Sequence, residues 1–124
     1  DALVLNLNDL PSLLRNEGGN KQNWIKLKLI GTECNRTAIG ARARVITGKH
    51  IQMDEVHSGT SVMSQSDLRL HFALGKIDTV DMIEVKWPTT QEIERFTKVK
   101  ANQILTIREG AGIVSTFVPK PAKV

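Results

Sequence analysis

ECNRTAIGARARV, Glu33 to Val45, is a polar turn that closes on Gly40 and feeds directly into an alternating strand. From Ala41 onward, Ala43 and Val45 fall on one side and Arg42, Arg44 and Ile46 on the other, the period-two pattern of a half-buried strand. One face is core; the other carries two guanidinium groups. Ahead of the strand, Asn35, Arg36 and Thr37 supply short hydrogen-bonding side chains and a fork-shaped cation, and Gly40 permits a close approach that a side chain forbids. Two roles are open for this loop. Either Asn35 and Arg36 tie down backbone groups, as buried loop polars normally do, or Arg36 is offered to an anionic or carbohydrate ligand.

The flanking sequence reads as more strands. Upstream, Ile25, Leu27 and Leu29 alternate with Trp24, Lys26 and Lys28 before Gly31, a sheet strand with one wet face. Downstream, Gly48-Lys49-His50 turns the chain into a weaker strand at Ile51 to Val56. Residues His57 to Asp67 are rich in Ser, Gly and Thr and predict an exposed loop of functional length. Leu68, Leu70 and Phe72 alternate with Arg69 and His71. Ile83, Val85 and Trp87 alternate with Met82, Glu84 and Lys86 until Pro88 stops the pairing. Glu92 to Val99 and Gln103 to Ile107 supply two further strands, and Ile113 onward adds an edge strand before Pro119-Lys120-Pro121. At the other end, Leu3, Leu5 and Leu7 alternate through Asn8 and lead through a turn into Leu13 and Leu14, which predicts a hairpin followed by a linker. The fold class that follows is all-β: an antiparallel β-sandwich or barrel-like domain of about seven to eight short strands.

Composition narrows the function classes. At 124 residues the chain holds one core. It starts at Asp1 without a methionine and is expected to be a piece of a longer protein. No apolar run approaches the ~20 residues a membrane-spanning helix needs. The formal charge of +4 is spread along the chain instead of forming a run. With no Tyr, two Trp and three Phe there is little to stack bases on, so nucleic acid is not an expected partner. Cys34 alone excludes an internal disulfide and a four-cysteine zinc site.

With the strands placed, Trp24 through Glu109 resembles the ASPIC/UnbV domain, the module that follows FG-GAP (VCBS-type) β-propeller repeats in secreted bacterial proteins and in cartilage acidic protein. NWIKLKLIG, CNRTAIGARARV, SQSDLRLHFALG, VDMIEVKWP and ANQILTIREG carry the resemblance, in that order. Two departures are visible: Ala73 stands where the family usually has Gly, and Thr89-Thr90 replace a turn Gly after Trp-Pro. The resemblance implies that residues 1–20 are the end of a final propeller blade and linker, 21–112 the ASPIC/UnbV-like domain, and 113–124 an edge strand and flexible tail. It also implies a non-catalytic interaction or adhesion module, extracellular or periplasmic, that packs on its upstream propeller or binds an extracellular protein or glycan. No cofactor is expected in these residues; calcium, where present, belongs to the propeller upstream.

Catalytic readings are weak. His50, His57 and His71 form no HxH or HxxxH pair. Glu92 and Glu94 share a strand face with Cα atoms ~7 Å apart, a spacing that overlaps inverting glycosidases but also describes two solvated strand carboxylates. The serines near His57 lack a GxSxG elbow. The candidate ligand-binding residues are therefore Asn35, Arg36, Arg42, Arg44 and Trp24, with Ser64 and Gln65 in the long loop. Lys26 and Lys28 join Arg42 and Arg44 in a basic stripe if their strands are neighbours. An exposed Trp24 offers a sugar-stacking platform or covers the seam with the propeller, and a carbohydrate-binding module built on Trp24 and the arginine strand is the alternative function. Asn35-Arg36-Thr37 is also an N-glycosylation sequon.

Overall fold

The computed structural model describes residues 1–120. Two four-stranded sheets pack face to face, with a separate two-stranded hairpin at the start of the chain. The hairpin joins β1 (Ala2–Val4) to β2 (Ser12–Leu14). The apolar alternation continues past Val4, but pairing does not. Asn6 Nδ2 donates to Leu10 O (2.7 Å) and Ser12 Oγ (2.9 Å), and Asn8 sits at φ 58°, so the chain curls there instead of extending.

The sandwich contains β3 (Asn23–Ile30), β4 (Arg42–Thr47), β5 (His50–Glu55), β6 (Leu70–Gly75), β7 (Thr79–Lys86), β8 (Ile93–Lys100), β9 (Gln103–Arg108) and β10 (Gly112–Phe117). The first sheet runs β10-β9-β3-β6 and the second β5-β4-β7-β8. The all-β sandwich expected from the alternation is what forms, with eight strands in its two sheets. It differs from a purely antiparallel sandwich in one place, because β3 and β9 pair parallel with Ile25 opposite Gln103 and Ile30 opposite Arg108. A parallel pair needs a long crossover, and the whole second sheet lies between these strands in sequence. Among the described residues the helical content is one 3₁₀ turn, Gly19–Lys21, and no helix is long and apolar enough to cross a membrane.

The inward faces follow the sequence pattern. Ile25, Leu27 and Leu29 of β3, Phe72 of β6, and Leu105 and Ile107 of β9 meet Ala43 and Val45 of β4 and Ile83 and Val85 of β7. Trp87 is fully buried just beyond β7. Its indole Nε1–H donates to Glu94 Oε1 (2.9 Å), the partner a buried indole requires. Small alanines at 38, 41 and 43, all fully buried, let the Cys34–Gly40 loop lie close to the sheets. After Trp87-Pro88, Gln91 occupies φ 59°, the backbone region glycine adopts most easily, so the turn is made without glycine at some local cost. The part of the expected tail beginning at residue 121 lies outside the described residues.

Candidate functional site

The strand registers lay out the outer face of the first sheet as rows of side chains. Phe117 of β10, Ile104 of β9, Lys26 of β3 and His71 of β6 lie opposite one another across the four strands. The next row holds Ser115, Thr106 and Lys28. Arg69, at the entry to β6, is on the same side as His71 because it lies two residues away. A groove of about 660 Å³ on this face is lined by Lys28, Arg36, Asp67, Arg69, Ile104 and Phe117, among others. A second recess of about 500 Å³ shares Arg69 and Ile104 with it and adds Trp24, Lys26, His71 and Gln22. Four cations thus face one carboxylate, Asp67. Trp24 stacks on His71 with ring centroids 6.0 Å apart and planes at 26°.

Charge on this face is only partly compensated. Asp67 is bound to Arg69 at 2.6 Å, and Lys26 reaches it at 4.0 Å. Hydrogen bonding from Arg69 holds the Asp67 carboxyl down to about 2. Burial, then the charge of Lys26, lowers the His71 imidazole, so it stands neutral beside Trp24 at neutral pH. Lys28 and Arg36 have no ion-pair partner among the described residues. A face with this balance attracts anions.

What positions Arg36 is a carboxylate the sequence pattern did not single out. Glu109, immediately after β9 and only 5% exposed, accepts backbone N–H bonds at one oxygen, Oε2, from Thr32 (2.9 Å), Glu33 (3.0 Å) and Cys34 (3.0 Å). Burial alone pushes this carboxyl up; those donors, Cys34 first, outweigh it and hold it below the ordinary value. The loop is further closed by Gly31 N–H donating to Arg36 O (3.2 Å). A Cβ on Gly31 would drive into Asn35 O and Cys34 Sγ, so this position requires glycine for space. Burial, with the nearby Glu109 carboxylate, pushes the Cys34 thiol up to about 11. It is an inert, protonated core group.

The sequence candidates separate into two kinds. Asn35 is structural: its Oδ1 accepts from Thr37 Oγ1 (2.9 Å) and Ile39 N–H (2.9 Å), while its Nδ2 donates to Ile39 O (3.0 Å). Arg36 and Trp24 line the cavities of the first sheet. Arg42 and Arg44 do not join them. They lie on the outer face of the second sheet, where Arg42 binds Glu55 (2.6 Å) and Arg44 binds Glu84 (2.9 Å). The basic stripe joining them to Lys26 and Lys28 therefore does not form, because β3 and β4 belong to different sheets. Ser64 bonds Ser61 (2.8 Å) and Gln65 accepts from Gly59 N–H (3.0 Å), so both serve to fold the long loop on itself. Of the carboxylates weighed for catalysis, Glu94 is engaged by the Trp87 indole and by Gly110 N–H (2.7 Å). Among the described residues no three His, Cys, Asp or Glu side chains cluster as a metal site.

The family described as ASPIC and UnbV matches residues 31–114, from the Gly31 turn through most of the sandwich into β10. The chain belongs to the ASPIC and UnbV family. No curated protein and no solved structure matches it. In this ASPIC and UnbV domain the matched span opens at the connection from β3 to β4, so the Cys34–Gly40 loop and its Glu109 anchor lie inside it. Glu109 escaped sequence reading because it follows a strand as an ordinary polar residue. The available signal was its place in ILTIREG, where apolar alternation predicts an inward position after Leu105 and Ile107.

Proposed function

We propose that this ASPIC and UnbV domain is a non-catalytic interaction module that works outside the cytoplasm, beside an upstream β-propeller, and that the outer face of its first sheet is the surface that engages a partner. The observation that carries the reading is the contrast in compensation: Lys28 and Arg36 stand on a groove of about 660 Å³ with no acidic partner among the described residues. Enzymatic readings have less support, since Glu94, Ser64 and Glu109 are each engaged in holding local structure. Packing against the propeller is supported by the hairpin, where Leu3, Leu5, Leu7, Leu10, Leu13 and Leu14 are all exposed. Apolar side chains gathered on so short a hairpin gain about 25 cal/mol for each Å² that a neighbouring surface covers.

The test is retention of the purified protein on the cell-surface or extracellular material of its own source. Lys28→Glu with Arg36→Glu is expected to lower retention about tenfold, and Arg42→Ala with Arg44→Ala to leave it unchanged. Equal effects of the two pairs would sink the assignment of the face.

A further inference from the structure

We infer that the outer face of the β10-β9-β3-β6 sheet takes an anionic glycan whose acid groups are carboxylates, laid across β3 from the Trp24–His71 stack to Lys28 and Arg36. This rests on the reading of that face as the binding surface and adds the chemical class of its ligand.

Three features of the face suit a uronate chain. First, the cations stand at intervals and not in one cluster. Lys26 and Lys28 project on the same side ~7 Å apart, two residues along one strand, with Arg36 in the groove lining beside Lys28; Arg69 is already committed to Asp67, so Lys28 and the Arg36 fork are the uncompensated pair. A polymer with one carboxylate on each ring meets such an array repeatedly, and a guanidinium fork matches a carboxylate in two parallel bonds. Second, Trp24 lines the recess next to these cations and is half-buried, so it is held in place. An indole offers a sugar ring an apolar face, and the neutral His71 behind it leaves the π-system without a competing charge. Third, the recess carries neutral amides. Gln22, Asn16 and Asn23 line it; Asn16 and Asn23 spend their carbonyl oxygens on Gly19 N–H (2.7 Å) and Asn102 Nδ2 (2.8 Å). Their amide nitrogens have no acceptor among the described residues and remain donors for ring hydroxyls.

An acidic peptide would be drawn by the same cations, but an aromatic platform flanked by side-chain amides contributes little to it. The glycan uses all three features. Stacking and hydroxyl bonds are also insensitive to salt, whereas exposed ion pairs weaken as the Debye length shrinks to ~8 Å at physiological ionic strength.

The experiment is calorimetric titration of the whole chain with oligogalacturonate, a neutral galacto-oligosaccharide and poly-glutamate, at low and physiological salt. Oligogalacturonate is expected to bind, to keep part of its affinity at physiological salt, and to outbind both other probes. Lys28→Glu with Arg36→Glu should weaken it at least tenfold, and Trp24→Ala roughly fivefold. Trp24→Ala removes a half-buried ring and can disturb β3, so the exposed Lys28 and Arg36 pair is the deciding variant. If poly-glutamate binds as tightly as the glycan and is equally sensitive to that pair, the glycan class is wrong and the face stands. If glycan binding ignores the pair and is lost in Arg42→Ala with Arg44→Ala, the face itself is misassigned. No binding at ~1 mM glycan overturns the ligand class.

Discussion

The two outer faces of this sandwich both carry cations but pair their arginines and lysines differently, Lys86 beside Arg42 being a cation of the second face without an ion pair among the described residues. On the second sheet, β4 and its neighbours set Arg42 against Glu55 and put Glu84 between Arg44 and Arg95, each contact at 2.6–2.9 Å. On the first sheet, Lys26 and Lys28 of β3 stand opposite Ile104, His71 and Thr106, and the one acidic side chain lining the grooves, Asp67, is already held by Arg69. Basic residues on alternate strand positions look the same in sequence. Strand register decides which of them are neutralised and which present a field to the solvent.

The largest effect is expected at the β3–β4 connection between the sheets. Residues 31–41 make one of the chain's crossings between the sheets, and Glu109 binds the start of that crossing. Glu109→Ala leaves three backbone N–H groups without their acceptor and is expected to cost about 3 kcal/mol, read as a lower urea midpoint with an unchanged slope. An unchanged midpoint would mean that Glu109 does not anchor this crossing. The same loop sets the next effect. With its thiol pushed up to about 11 from 9.0, Cys34 in the native protein should react with iodoacetamide at pH 8 roughly a hundredfold more slowly than in the unfolded chain, before shielding adds to the difference. Comparable rates in both states would break this account of the loop. Because its thiol is raised in the folded state, Cys34 favours the fold below pH 9 and ceases to do so as pH rises through 11.

Smaller effects sharpen the contrast itself. Glu84→Gln removes the carboxylate shared by Arg44 and Arg95 and should lower stability by about 1 kcal/mol, visible as a modest drop in Tm. It should also give the second face a salt-dependent affinity for poly-glutamate that the parent lacks on that side. Should polyanion binding stay unchanged, compensation is not what distinguishes the faces. The smallest change belongs to Asp67. Its carboxyl is held at about 2 by Arg69, so its contribution is complete above pH 3.8 and disappears as pH falls through 2. Because both partners are well exposed, that contribution is below about 1 kcal/mol. In Arg69→Gln the Asp67 carboxyl resonance should titrate at higher pH than in the parent, though the residue-69 backbone N–H and Lys26 still hold it below its ordinary value, which an NMR pH series reads directly.

Much of the fold was legible because burial on one face of a strand forces period-two alternation. The pattern at Ile25, Leu27 and Leu29 and at Ala43 and Val45 is enough to place β3 and β4 and to say which side faces inward. It failed at Leu5 and Leu7, where the alternation has no second strand to pair with and Asn6 and Asn8 redirect the chain. The candidate site was legible only in part: Trp24 and Arg36 were found, while Lys28, Arg69 and His71 acquired their relation to them through strand neighbours distant in sequence.

Alternation, turn residues and one cysteine therefore determined by themselves that this is an all-β domain with a single core, and ordered motifs pointed to its family. The parallel β3–β9 pair, the burial of Glu109 beneath the Cys34 loop and the separation of Arg42 and Arg44 from Lys26 and Lys28 onto opposite faces were decided only by tertiary structure. The physical reason is that inside-or-outside is a local property of each strand, written every second residue. Which strands become neighbours, and hence which charges meet, depends on packing between segments that lie far apart in the chain.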